Sequence, residues 1–274
     1  MRINIGLPSR GRPLDMVASA ISLIRLSSGV HDVTITLGID EDDPATKRMA
    51  FELCKLEGCQ ALVADRHCGL GDLVNSLCEA TPEDAAFILW SDRISVTTLG
   101  WDQELALGCM QYPNRPIWLD SVHLAGAGQF ILPPAWRAIQ GPPCPPLYPF
   151  WFIDTAVEEI DAYVHGFPRI ALVAKAAGPR GFKTNRMRDV EFWIDLFQAQ
   201  RAERLRQAEM IGDRLGVKPP ENLAAIVEYF TNRMEEMRAR APTLRDAFGE
   251  PGEPDETYLS AKAAAEGVLK GLRS

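Results

Sequence analysis

The sequence predicts an α/β fold: a mostly parallel sheet flanked by helices, with a helical C-terminal extension. Three observations carry this. Apolar residues alternate at Ile3, Ile5 and Leu7 and again at Val33, Ile35, Leu37 and Ile39, the period of two expected of strands. Between them Leu14, Val17, Ala18, Ile21 and Ile24 fall at helical spacing and stop at Ser27-Ser28-Gly29, giving a strand-helix-strand unit. Polar motifs then stand where strands give way to loops, at Gly6 to Arg10, Ile39 to Pro44 and Trp90 to Ile94. The C-terminal edge of such a sheet is where backbone amides and short polar side chains converge on a ligand.

The remaining elements follow in order. Asp43 reads as an N-cap and Pro44 as the first residue of a helix continued by Met49, Leu53 and Leu56. A short strand at Ala61 to Ala64 precedes a helix over Gly69 to Glu79. Ala85 to Trp90 is a continuous apolar run suited to a buried central strand, and Pro116 to Leu119 is a second, brief one. Seven prolines between Pro133 and Pro149 predict an irregular connector, since proline removes a backbone donor. A helix over Thr155 to His165 and a strand over Ile170 to Val173 come next. After Met187 the spacing of Val190, Phe192, Trp193, Leu196 and Phe197, and of Leu223, Ile226, Val227, Phe230 and Met234, predicts helices that close the core. The expected organisation is a main domain over 1–200, a helical extension over 201–246, and a linker with a last helix over 247–274.

Composition bounds the function. The 274 residues are 46% hydrophobic, enough for one sizeable core, and no apolar run reaches the roughly 18 residues of a membrane span. The N-terminus enters a strand directly, without a leader pattern, so a cytoplasmic protein is expected. Six cysteines form no Cys-x-x-Cys pair and read as reduced, mostly buried thiols; a zinc site at Cys59, His67 and Cys68 has no paired ligand spacing behind it. The net charge of −8 argues against a surface that coats nucleic acid or anionic membrane. Its distribution is uneven: Arg169, Lys175, Arg180, Lys183, Arg186 and Arg188 occur without an intervening acid, either a solvated loop or a phosphate-contacting surface.

Gly69-x-Gly71 lacks the third glycine of a dinucleotide fingerprint, and neither a glycine-rich Lys-Ser/Thr phosphate loop nor a Gly-x-Ser-x-Gly elbow occurs. What remains is a set of aspartates, Asp40, Asp92 and Asp154, each directly after apolar residues. Carboxylates so placed can hold a base or ribose, a divalent cation on a diphosphate, or the proton of an acceptor hydroxyl.

Ile5-Gly-Leu-Pro-Ser-Arg-Gly-Arg-Pro13, Gly38-Ile-Asp-Glu-Asp-Asp-Pro44, Arg66-x-x-Gly69-Leu-Gly71 with Asn75, Trp90-Ser-Asp92 and Gly100-Trp-Asp102 resemble, in order and spacing, a family 2 glycosyltransferase of the GT-A fold. The resemblance covers roughly residues 1 to 200 and continues through Phe150-Trp151-Phe-Ile-Asp154 and Arg188-Asp189-x-x-Phe192-Trp193. It implies a transferase that moves a sugar from a nucleoside-diphosphate donor, UDP favoured, to an acceptor hydroxyl with inversion. Pro8, Ser9 and Arg10 would line the nucleotide pocket, and Asp40 would hydrogen-bond base or ribose with Asp42 nearby. Arg66 would approach the diphosphate, and Gly71 and Asn75 would bring a helix close to the donor. Trp101, Asp102 and Trp151 would lie on the acceptor side and Asp154 would be the general base. Each has a plainer alternative: an N-cap for Asp43 or Asp154, a turn for the glycines, a buried core residue for Trp101.

Asp92 stands where the resemblance implies a metal-binding acid for Mn²⁺ or Mg²⁺, but the expected acid pair is replaced by Ser91-Asp92-Arg93, and Lys175 stands where a late histidine ligand is common. Three outcomes stay open: a weakly held cation at Asp92, neutralisation of the diphosphate by Arg93 and segment 175–188, or an inactive GT-A-fold binding or assembly protein. The acceptor is not specified; the basic segment 169–206, with Arg201, Arg204 and Arg206 on a helix, could guide a nucleic acid carrying hydroxylated bases.

Overall fold

The computed structural model describes residues 1–64, 69–119, 129–145, 147–148, 152–167, 170–172, 176–177, 188–248, 252–254 and 256–273. Strands β1 (Arg2–Ser9), β2 (Asp32–Asp40), β3 (Cys59–Ala64) and β4 (Ala85–Leu89) alternate with helices α1 (Pro13–Leu26), α2 (Pro44–Leu53) and α3 (Leu70–Glu79). The short β5 (Ser95–Val96), helix α4 (Trp101–Gln111), strands β6 (Ile117–Leu119) and β7 (Phe130–Leu132) and helices α5 (Pro134–Gln140) and α6 (Ile153–His165) follow. Strands β8 (Ile170–Leu172) and β9 (Ala176–Ala177) lead to α7 (Val190–Ala199), α8 (Arg201–Leu215), α9 (Leu223–Phe248) and α10 (Glu256–Arg273). Seven strands form one sheet in the order β3-β2-β1-β4-β7-β6-β8, while β5 and β9 pair separately. Within the large sheet only β7 runs antiparallel to its neighbours. The expected mostly parallel sheet flanked by helices is what the chain forms.

The alternation read in β1 sorts its side chains onto two faces. Ile3, Ile5 and Leu7 join Ile35, Leu37 and Ile39 of β2 under Met16, Leu23, Ala50 and Trp101 from α1, α2 and α4. The opposite face carries Leu73 and Leu77 of α3, Phe87, Trp136 of α5, and residues of α6 to α10. Here glycine is required by contact: a Cβ on Gly6 would lie 2.6 Å from the Phe87 ring, and one on Gly38 2.8 Å from Leu77. Their absence lets α3 lie directly on β1 and β2.

Three sequence expectations change. The proline-rich stretch contains α5, because Pro133 and Pro134 occupy its N-cap and first position, where no amide donor is lost. Helix α6 begins two residues earlier than Thr155, with Phe152 at its N-cap in the left-handed region (φ 68°), so Asp154 is a first-turn acid rather than a cap. Helix α10 starts inside the expected linker, and its Tyr258, Ala265 and Leu269 share a core with Phe197 and Phe230. Asp43 does cap α2, accepting from the Thr46 amide, with Pro44 first in the helix. No helix among the described residues is long and apolar enough to cross a membrane.

Helix α6 also holds a buried ion pair. Asp161 accepts from Arg115 Nε at 3.2 Å and Nη2 at 2.8 Å, and burial pushes its carboxyl up to about 6 against the pull of Arg115. An acid with a raised folded pKa holds its proton more tightly when folded, so its stabilising contribution is greatest below its unfolded value and is lost as pH rises to about 6. The stability of the wild type relative to Asp161→Asn is therefore expected to fall between about pH 4 and pH 6, read from urea midpoints at constant ionic strength. A difference that stays flat across that window contradicts the linkage.

Candidate functional site

The carboxyl edges of β1, β2 and β4 are tied together by one short loop. Four successive residues after the body of β1 each engage an acid. The Ser9 hydroxyl donates to Asp92 Oδ2 at 2.8 Å. Arg10 Nη1 donates to Asp40 at 2.7 Å and to Asp42 at 2.6 Å, and its Nη2 reaches the other Asp42 oxygen at 2.9 Å. The Gly11 amide donates to Asp43 Oδ2 at 2.6 Å. Arg12 Nε lies 2.9 Å from Asp92 Oδ2, an ion contact whose direction is too oblique for a hydrogen bond, so that buried nitrogen has no directed acceptor. The structure thus joins Asp40, Asp42 and Asp92 with Ser9 and Arg10, all predicted from the sequence, and adds Arg12, which the sequence reading did not single out.

Burial and pairing set the electrostatics of these acids. Asp40 is 6% exposed, and loss of hydration raises its carboxyl above the usual range, an effect that Arg10 offsets only in part. Its second oxygen, Oδ1, is buried and accepts no hydrogen bond. Asp43 is pushed up by partial burial but held low by the Thr46 side chain and by the Thr46 and Gly11 amides. The Arg10 guanidinium is raised, first by its bond to Asp42. Pro8 is half-buried beside this loop, and the half-buried Ser91 accepts from the Arg93 amide at 3.3 Å, forming a tight turn around the buried Asp92.

A divalent cation fits this donor set poorly. Asp92 is flanked by Ser91 and Arg93 rather than by a second acid, and its Oδ2 already faces a hydroxyl and a guanidinium. Among the described residues no group of three His, Cys, Asp or Glu side chains is placed to hold a metal ion. One carboxylate could meet a cation arriving with a diphosphate, but these residues do not build a resident centre.

Asp154 stands on a different element. It is half-buried in the first turn of α6, accepting from the Thr155 amide at 2.8 Å and the Thr155 hydroxyl at 3.4 Å. Loss of hydration raises its carboxyl, helped by Glu158 and opposed by the Thr155 amide and Arg233.

Several predicted site residues are taken up by the scaffold. Trp101 is 1% exposed and donates its indole N–H to the Leu23 carbonyl. The fully buried Asp102 accepts the Ser28 amide at 2.7 Å and hydroxyl at 2.6 Å. Together they pin the end of α1 to the start of α4, the plainer of the two roles the sequence offers them. Gly71 and Asn75 also make scaffold contacts. A Cβ on Gly71 would come within 3.0 Å of the Pro145 carbonyl, and Asn75 binds the Cys144 backbone at both ends of its amide, at 3.0 and 2.9 Å. The close approach they allow is to the backbone at Cys144, Pro145 and Tyr148. Arg204 is buried and Arg201 half-buried, both paired with Glu159 rather than turned to a nucleic-acid surface; only Arg206 of the three is exposed, paired with Glu203. Arg66, Trp151 and most of segment 169–188 lie outside the described residues. Cys78, Cys109 and Cys144 are buried free thiols, as expected, and burial pushes Cys78 and Cys109 up to about 12.

No family model matches the chain, and no curated protein matches its sequence. Its fold does have solved counterparts. Residues 1–349 of S. aureus TarS in complex with UDP superpose with a TM-score of 0.60 at 10% identity, covering 99% of this chain and 81% of that one. GalNAc-T7 with UDP, GalNAc and Mn²⁺ gives 0.56 at 12% identity over 92% of this chain and 59% of that one. A longer TarS chain is matched over only 39% of its length, so this chain spans well under half of that relative. These are GT-A-type glycosyltransferases, and the chain has the GT-A fold. At these identities it is the fold that is shared, and the resemblance first read from the strand-end motifs holds at that level.

Proposed function

We propose that the chain is a glycosyltransferase taking a nucleoside-diphosphate sugar, with UDP the favoured nucleotide, and transferring the sugar to an acceptor hydroxyl with inversion. The observation that carries this reading is the unpaired Asp40 Oδ1, buried at the end of β2 beside the Ser9–Arg12 loop. A buried acceptor without a donor costs about 1–3 kcal/mol, and a base N–H or ribose hydroxyl would supply the missing partner. TarS binds UDP and UDP-GlcNAc, and GalNAc-T7 binds UDP, on this same fold.

In this reading Pro8, Ser9, Arg10, Asp40 and Asp42 shape the nucleotide end, and Ser91, Asp92 and Arg93 meet the diphosphate. Asp154 takes the proton from the acceptor hydroxyl as its oxygen attacks the anomeric carbon. The bond from that carbon to the β-phosphate oxygen breaks, and its electron pair leaves with the nucleoside diphosphate. GalNAc-T7 has Mn²⁺ with its UDP; here a cation would find Asp92 as its one carboxylate in this turn. Arg66 on the diphosphate and Trp151 on the acceptor side remain part of the proposal.

A thermal-shift panel of nucleoside diphosphates and sugar nucleotides tests the donor class. A ligand that binds only the folded state raises the melting temperature by mass action, by about 2.7 kcal/mol of added stability at one hundred times its Kd. UDP and a UDP-sugar are expected to shift the transition. The absence of any shift across the panel, with and without Mn²⁺, refutes the reading.

A further inference from the structure

The charge pattern around Asp92 leaves one cation with donors to spare. Arg10 is consumed, because three hydrogen bonds commit its guanidinium to Asp40 and Asp42. Arg12 is different. Its side chain is 23% exposed, its only ion contact among the described residues is Nε to Asp92 Oδ2, and that contact is not a directed hydrogen bond. A guanidinium carries five N–H donors, and the terminal nitrogens of Arg12 bond to no described residue. Asp92 is itself fixed by the Ser9 hydroxyl, so it holds the Arg12 stem in place while the outer fork of the guanidinium stays available. Arg93 follows Asp92 directly in the chain.

We infer that Arg12 binds the diphosphate of the nucleotide donor beside Asp92 and supplies there the positive charge that the poor metal donor set does not. This rests on the nucleotide-sugar reading above. Guanidinium matches phosphate oxygens in a bidentate, charge-assisted geometry. As the glycosidic bond breaks, the electron pair left on the β-phosphate oxygen is met by a charge already fixed in place, which needs no reorganisation. Asp92 then acts as a positioning residue for Arg12, and nucleotide binding does not depend on a divalent cation.

The test is calorimetric titration of UDP, GDP and dTDP into the full chain, in EDTA and in Mn²⁺, for the wild type, Arg12→Ala and Arg12→Gln. The wild type is expected to bind at least one nucleotide in EDTA with a Kd within about tenfold of that in Mn²⁺, a difference of under about 1.4 kcal/mol. Arg12→Ala is expected to weaken that binding by about 10- to 100-fold in EDTA, the effect of losing charged hydrogen bonds. Arg12→Gln keeps a polar stem without the charge and decides the matter if the alanine variant does not fold; it too is expected to bind more weakly. Binding seen only with Mn²⁺, or a folded Arg12 variant with wild-type affinity, overturns this inference while leaving the nucleotide-sugar reading standing. Binding of no nucleotide in either condition removes both.

Discussion

Asp154→Asn is expected to lower kcat for sugar transfer by about 10²- to 10⁴-fold, the usual worth of a positioned general base, while leaving the donor Kd unchanged. The substitution is conservative for the fold. Asp154 accepts the Thr155 amide in the first turn of α6, and an asparagine oxygen can accept it as well. What it cannot do is take a proton. Burial raises the Asp154 carboxyl above an ordinary aspartate, with Glu158 adding to the shift and Arg233 opposing it, which makes the ionised form a stronger base. Because the base must be ionised to act, the transfer rate is expected to fall as pH drops through that raised value, with the acid limb displaced upward from an ordinary aspartate. In the asparagine variant that limb should vanish. The proposed function puts donor binding at the ends of β1, β2 and β4 and proton removal on α6, so the two losses should separate: kcat here, Kd in the Arg12 variants. A variant that keeps near wild-type kcat makes Asp154 a helix-terminal acid and nothing more.

The sequence was most legible where its signals are local. The alternation at Ile3, Ile5 and Leu7 is a property of five consecutive residues, and it does sort those side chains onto one sheet face. Asp43 and Pro44 declare a helix start within two positions, and α2 starts there. Strand β7 gave no readable period, since its three residues are too few to display one. Helix α5 hid behind prolines because composition records how many there are and not which stand at the first turn.

Partner choice was the hardest part to read, because it is long-range. Arg12 reaches across 80 positions to Asp92 (12 to 92), and Ser28 reaches Asp102 across 74. Nothing in Trp101-Asp102 distinguishes an acceptor platform from a pin between α1 and α4. The burial and bonds that make the pin are set by elements far away in the chain. The same holds for Asn75, whose amide is claimed by the Cys144 backbone 69 residues later.

Glu159→Ala is expected to destabilise the fold by about 3–5 kcal/mol, the effect of breaking a buried ion pair from one side. Glu159 is fully buried on α6 and accepts from Arg201 Nε at 3.0 Å, Arg204 Nε at 2.5 Å and the Tyr163 hydroxyl. Arg204 is further enclosed: it donates to the Phe197 carbonyl at 2.8 Å and lies 3.7 Å from the centroid of that ring. Removing the carboxylate strands the buried Arg204 guanidinium and unpairs the half-buried Arg201 beside it, at the seam between α6 and α8. By contrast Arg206→Ala, which loses only an exposed pair with Glu203, should move stability by less than about 0.5 kcal/mol. Chemical denaturation of both variants measures the difference; a Glu159→Ala loss under about 1 kcal/mol would mean the cluster is hydrated and its arginines are accessible. That outcome bears on the acceptor as well. Arginines anchored in the core cannot also track a phosphate backbone, so a large loss at Glu159 assigns the cations at 201 and 204 to joining the C-terminal helices to the sheet domain.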